Sequence, residues 1–372
     1  MKSIFKTILF SAFAVASLTA CSDATETEIK NPADLTHNNK TEAYYEQLRA
    51  YKKTDHPVAF GWFGQWSGKG ASLENSLAGL PDSVDMVSIW GNWNNPSEEQ
   101  LKDLRFVQEK KGTKAMICFL VLNIGDQLTP EQPKEGPDSK LSWTEWRHKT
   151  WGWGPSLESK IEAAKKYATA ICDIIDKYGY DGFDMDAEPH YAHYGVNHPY
   201  EMWETDPKII KAFVETLAKR LGPASGTDKL LVVDGEPNAI DAKYAKYFNY
   251  FILQTYSDGY NVHGFDFLQN RFNTQYNHFQ SELSAEEIAK KIIVCENYER
   301  FASTGGFFFN LPTKERVPSL KAFALWNPML NGITYRKGGV GTFHMEYEYN
   351  VDGKFYPSLR QAIQIMNPSK RN

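Results

Sequence analysis

The sequence predicts an α/β fold, a single (β/α)8 TIM barrel with elaborated active-site loops, on three observations. Its 372 residues suffice for one such barrel, which takes about 250 residues plus insertions. Eight short apolar runs, rich in β-branched and aromatic residues, recur along the chain between turn signals. Helical stretches with apolar residues three and four apart separate them, and strands that alternate with helices pair in parallel.

Residues 1–20 stand outside that pattern. Lys2 and Lys6 precede an apolar run from Ile8 to Leu18, and Leu-Thr-Ala then leads directly into Cys21. A charged start, an apolar middle and small residues mark a targeting segment. Cys21 resembles the lipidated residue of a bacterial lipoprotein signal, which would become the mature N-terminus. Residues 21–40 are polar and acidic without an apolar period and read as a solvated tether. The acidic residues just after the cysteine resemble the surface-export signal of Bacteroidetes lipoproteins. The expectation is an outer-membrane lipoprotein exposed on the cell surface, held by its lipid alone, monomeric, with residues 41–372 as one barrel domain. Formal net charge is −5 and becomes −7 without Lys2 and Lys6, so nucleic acid is not an expected partner.

A helix over residues 41–52 precedes the first strand, 58–63. The second strand covers 83–93, and Ser97 with Gln100 forms a capping box for the next helix, which carries Leu101, Leu104 and Val107 on one side. The third strand, 113–122, is followed by an excursion over 123–154 that is rich in Pro and Gly and holds Trp143, Trp146, Trp151 and Trp153. Four tryptophans argue against disorder, so the excursion is expected to wall the substrate cleft. A rim cover that adds only stability is the other reading. A helix over 155–178 carries Leu157, Ile161, Ala164, Ala168, Ile171, Ile175 and Tyr178 as one stripe and stops at Gly179. Asp206 and Pro207 open the helix after the fourth strand. The fifth strand, 229–237, ends in Asp234 and Glu236, and the sixth, 250–258, carries Gln254 and Tyr256 on one face. Ser284 with Glu287 caps a helix before the seventh strand, 291–299, which brings Asn297 and Tyr298 to its end. A helix over 318–326 leads to the eighth strand, 339–349, where alternation does not fix which of Phe343, His344, Met345 and Tyr347 faces inward. A closing helix over 358–366 completes the eighth unit. Cys118, Cys172 and Cys295 read as buried free thiols, and without Cys-x-x-Cys or His-x-x-x-His spacing no metal site is expected.

The fourth strand organises the rest. Residues 180–189 read Tyr-Asp-Gly-Phe-Asp-Met-Asp-Ala-Glu-Pro, with acids at Asp181, Asp184, Asp186 and Glu188. Side chains alternate along a strand, so Asp184, Asp186 and Glu188 share one face and Phe183, Met185 and Ala187 the other. Three acids lined up inside a fold cannot all ionise cheaply, because like charge and desolvation both favour keeping a proton. A carboxyl kept protonated near neutral pH is equipped to act as a general acid. The ordinary alternatives are a solvated face or a cation site. The strand buries its alternate positions, however, and the ligand spacing of a calcium loop is absent.

All four acids match the Asp-Gly-x-Asp-x-Asp-x-Glu signature of glycoside hydrolase family 18, the chitinases and endo-β-N-acetylglucosaminidases, and the stretch resembles that family's fourth barrel strand. The resemblance implies Glu188 as general acid/base and Asp186 as the neighbour that orients the substrate's 2-acetamido group. It also implies that the N-acetyl oxygen itself attacks the anomeric carbon. Tyr256 would donate to the acetamido carbonyl, with Asp184, Asp181 and Gln254 supporting. Gln-x-Tyr at 254–256 resembles the endo-β-N-acetylglucosaminidases, where chitinases usually read Met-x-Tyr-Asp. The tryptophan that commonly floors the sugar at the cleaved bond, at the end of the family's eighth strand, has no counterpart here.

Aromatic residues make up 14% of the chain, with 10 Trp and 20 Tyr, and aromatic faces can stack on sugars. Trp62, Trp90, Trp93, Trp151, Trp153 and Tyr191 are candidate sugar contacts, with His190, Asp234, Glu236, Asn297 and Tyr298 around the same rim. No cofactor is expected. The expected function is cleavage of the GlcNAc-β1,4-GlcNAc core of N-linked glycans on glycoproteins, with complex-type chains favoured by the tryptophan-rich excursion. A chitinase and an inactive surface glycan-binding protein are the alternatives, and the presence of Glu188 speaks against the second.

Overall fold

Eight parallel strands close on themselves in a computed structural model that describes residues 40–191, 200–204 and 206–368. The strands are β1 (Val58–Phe63), β2 (Met86–Trp90), β3 (Lys114–Leu120), β4 (Gly182–Ala187), β5 (Leu230–Gly235), β6 (Tyr250–Gln254), β7 (Ile292–Asn297) and β8 (Gly339–Phe343). Each pairs with its neighbours in sequence, and β8 closes on β1. The two-residue period of the sequence sorts their side chains into two cores. Phe60, Trp62, Met86, Met116, Val232, Ile252 and Ile293 fill the barrel. Phe63, Val87, Ile89, Ile117, Phe119, Phe183, Met185, Leu231 and Val233 face the helices. Burying a large apolar side chain contributes roughly 1.5–3 kcal/mol, which explains why both faces of these strands are apolar.

The helices lie where the apolar stripes put them, with two additions. They are α1 (Glu42–Lys52), α2 (Glu98–Arg105), α3 (Trp143–Trp151), α4 (Leu157–Tyr178), α5 (Pro207–Leu217), α6 (Phe265–Phe279), α7 (Ala285–Lys291), α8 (Ser319–Leu325) and α9 (Pro357–Met366). The capping boxes at Ser97/Gln100 and Ser284/Glu287 both form, and Gly179 ends α4 in a left-handed conformation with φ 69°. The excursion after β3 is not structureless: Ser142 and Glu145 cap α3 within it. The second addition is α6, which buries Leu268, Phe272, Gln275 and Phe279. The eighth strand is shorter than expected because His344, at φ 54°, leaves the extended region and starts a 3-10 turn over Met345–Glu348.

The parallel register decides what meets inside the barrel. Cys118 of β3 lies beside Asp184 of β4, Asp186 beside Asp234 of β5, and Gln254 of β6 beside Cys295 of β7. These inward side chains approach the C-terminal ends of the strands, the end at which such barrels carry their chemistry. Cys118, Cys172 and Cys295 are buried and free. Cys21 with its targeting and tether segments, and most of the loop after β4, lie outside the described residues. Among the described residues no helix is long and apolar enough to cross a membrane.

Candidate active site

Asp184 sits deepest. It is 0% exposed, and its Oδ2 accepts hydrogen bonds from Ser88 Oγ at 2.6 Å and Trp62 Nε1 at 3.0 Å. Asp234 is nearly as enclosed; its Oδ1 accepts from Gln254 Nε2 at 2.9 Å, and the Cys118 thiol points at Oδ2 from 3.7 Å. Asp186 and Glu188 follow along β4 and are partly exposed. Backbone crowding demands glycine at two positions, Gly182 where β4 starts at the barrel floor and Gly235 where β5 ends beside Glu188. A Cβ on Gly182 would lie 2.2 Å from the Leu230 carbonyl oxygen, and one on Gly235, at φ 80°, would press on Ala187 O and Glu188 Cγ at 2.8 Å.

Desolvation governs the protonation of this cluster. Burial pushes Asp184 up to about 6 against the hydrogen bonds from Ser88 and Trp62. Burial, followed by the charges of Glu188 and Asp184, lifts Asp186 well above the usual carboxylate range. Burial and the charges of Asp186 and Asp184 do the same to Asp234. Glu188 is raised by burial, with Gln254 opposing and the Glu236 charge adding to the rise. Burial holds the Tyr256 hydroxyl protonated, so it is a donor, and its ring stacks on Phe343 with centroids 6.0 Å apart. The arrangement offers a protonated carboxyl, an adjacent acid and a phenol donor at one end of the barrel. Cys118, Asp184 and Asp234 bring ligand atoms within 4.8 Å of one another, but burial keeps the thiol protonated, so the trio is suited to sharing protons.

Several candidate sugar contacts prove to be structural. Trp62 is 2% exposed inside the barrel and spends its indole N–H on Asp184. Trp93 is buried against Phe119, with ring centroids 5.1 Å apart. Trp151 donates to Thr129 Oγ1 and packs edge-on against Tyr167, while Trp153 is buried beside His148. The excursion therefore turns two of its tryptophans inward to seat α3, and the cleft-wall expectation fails for them. Tyr298 is fully buried, and Asn297 caps the following turn by accepting from Glu299 N. Asp181 lies at the opposite end of β4 from Glu188, where it accepts from Ala115 N and Gln108 Nε2 and pairs with Lys114, so it closes the barrel floor. Glu236 satisfies loop amides, accepting from His190 N, Tyr191 N and His190 Nδ1 at 2.6 to 3.2 Å, and thereby fixes the start of the loop after Glu188. Asp234 is enclosed among acids and is no rim residue. Trp90 alone of these tryptophans stays open, 42% exposed, with Phe343 and His344 against it at 5.7 Å.

Sequence reasoning missed Ser88 and left Phe343 undecided. Ser88 was detectable as the polar member of the alternating set Met86, Ser88, Trp90 in an otherwise apolar strand. Phe343, the last residue of β8, faces inward with Trp62 and Tyr256.

The comparison that decides the family covers nearly the whole chain: the family model described as glycoside hydrolase family 18, BT1044-like, matches residues 22–365. The chain belongs to glycoside hydrolase family 18. This glycoside hydrolase is 27% identical over 341 residues to endo-β-N-acetylglucosaminidase F2 of Elizabethkingia meningoseptica, covering 86% of this chain and 85% of that one. The solved structure of a selenomethionine glutamate-to-glutamine variant of BT1044 superposes with a TM-score of 0.72 at 32% identity, over 91% of this chain and 96% of the other. A variant of the endo-β-N-acetylglucosaminidase from Cordyceps militaris, in complex with fucosyl-N-acetylglucosamine-Asn, shares the fold with a TM-score of 0.58 at 21% identity. It covers 91% of this chain and 99% of that one.

Proposed function

We propose that this glycoside hydrolase is an endo-β-N-acetylglucosaminidase that cleaves between the two core N-acetylglucosamines of N-linked glycans. The observation that carries the reading is Asp186 on β4 with Glu188 just past its end, joined by Gln254 at the end of β6 and Tyr256 just beyond it at the same end of the barrel. Glu188 gives its proton to the leaving glycosidic oxygen. The substrate's acetamido oxygen attacks the anomeric carbon and forms a cyclic oxazolinium, which an ionised or hydrogen-bonding Asp186 holds on one side and Tyr256 steadies through its hydroxyl on the other. Glu188, now ionised, takes a proton from water as the water opens the ring, and the configuration at the anomeric carbon is retained. Endo-β-N-acetylglucosaminidase F2, aligned over most of both chains, supports this substrate class.

Asp186→Asn tests the mechanism. It should slow hydrolysis of the glycan far more than it slows glycan transfer from a preformed sugar oxazoline, because the preformed donor bypasses the step Asp186 assists. Equal loss of both activities, or a covalent adduct trapped on a carboxylate, would contradict substrate assistance. Complex-type chains belong to the proposed range, with Trp143 of α3 left 51% exposed as a surface for branches. We further place the enzyme as a monomer on the cell surface, tethered through Cys21. Cys21→Ala should then move it from the membrane fraction to the soluble one, and unchanged membrane association would remove the anchor.

A further inference from the structure

Asp234 lies outside the signature that singles out Asp186 and Glu188, yet the fold has enclosed it between them and the barrel core. It is 1% exposed and stands beside Asp186 across the β4–β5 pair. The groups facing it are Cys118 from β3, Asp184 and Asp186 from β4, Gln254 and Tyr256 from the β6 end, and Cys295 from β7. None of them is a cation. Asp184 Oδ1 and Asp186 Oδ1 are buried, and no amide, ring N–H or hydroxyl among the described residues donates to either. Asp234 is within hydrogen-bonding reach of both carboxyls. A buried acceptor needs a donor, and a proton carried by Asp234 is the donor this geometry can supply.

We propose that Asp234 is a positioning residue that keeps one O–H shared between the Asp184 and Asp186 oxygens, so that Asp186 can carry the anion, and holds the Gln254 amide in place beside Glu188. The role it gives Asp186 rests on the function proposed above. Burial and the two neighbouring acids hold the Asp234 proton firmly, in the same sense. The Gln254 contact fixes which end of that amide faces Asp234: Nε2 donates to Asp234 Oδ1, so the amide cannot turn without losing it. The aspartate thereby joins β5 and β6 to the acid pair of β4 by hydrogen bonds of one sense.

Asp234→Leu and Asp234→Asn test this against a substrate-contact role, with kcat and KM measured separately on a biantennary glycopeptide and the carboxyl carbonyl band read by infrared spectroscopy at neutral pH. Asp234→Leu should lose about 10²-fold in kcat with little change in KM, the scale of a misplaced catalytic group. Asp234→Asn, which has the shape and the donor of a neutral acid, should rescue most of that loss. It should also remove one protonated-carboxyl band from the spectrum. An asparagine variant as impaired as the leucine variant, a defect confined to KM, or an unchanged infrared band would each overturn the assignment. The infrared result stands without any substrate. If the wild-type protein cleaves no glycopeptide, the proposed function fails while the protonation of Asp234 is still decided.

Discussion

Glu188 acts as an acid only while it holds a proton, and its surroundings favour that state through burial and through the Glu236 charge. Glu188→Gln keeps the shape without the proton, so glycan binding measured by calorimetry should persist while turnover falls by about 10²-fold or more. Activity lost in equal measure with affinity would count against the assignment. The sign of the pH dependence follows from the raised carboxyl: kcat/KM should fall as pH rises through the Glu188 pKa, on a limb above that of an ordinary glutamate. Glu236→Gln removes a neighbouring negative charge and should move that limb to lower pH. A limb that stays put would leave Glu236 with only its loop-anchoring role. Asp186 and Glu188 were legible in the sequence because strand alternation puts them on one face with Asp184 and the run of acids matches the family's signature. Trp62, Trp93, Trp151 and Trp153 were not, because a tryptophan looks the same in sequence whether its face meets a sugar or a core.

At the scale of elements, caps and stripes were readable and chain reversals less so. The Ser97/Gln100 and Ser284/Glu287 boxes formed as their spacing implied, whereas α6 escaped notice because its Asn- and Gln-rich, aromatic sequence has weak helical propensity and is held by burial of one face. The end of β8 depended on the left-handed backbone of His344, a conformation that no residue type announces. The last helix shows a device of the same kind. Glu348 is fully buried and accepts from Ser358 N and Leu359 N, serving as a remote cap for α9, whose own cap position is held by Tyr356 at φ 50°. Glu348→Ala should cost about 1–3 kcal/mol, the penalty for leaving buried donors unsatisfied. Urea unfolding measures it, and a loss under ~0.5 kcal/mol would mean that water replaces the carboxylate.

For the whole molecule, the acid cluster is an electrostatic cost that the barrel carries at its C-terminal end. Carboxyls raised on folding hold protons that the unfolded chain has released. Their contribution to stability is therefore present at low pH and lost as pH rises through the raised values. Asp184 is raised to about 6, so the Tm of Asp184→Asn relative to wild type should climb as pH rises through that value. A difference independent of pH would show that Asp184 is already ionised in the fold. The barrel itself was legible from eight apolar runs and their intervening stripes, since parallel strands buried on both faces leave that imprint. Which acid holds which proton was not, because it depends on the register between strands distant in sequence. The most direct test of the central claim is mass spectrometry of a glycopeptide bearing one N-linked glycan after digestion. Cleavage should leave a peptide retaining a single N-acetylglucosamine, with any core fucose, and a released glycan whose reducing end is the other N-acetylglucosamine. An intact glycopeptide alongside degraded chitin oligomers would contradict it.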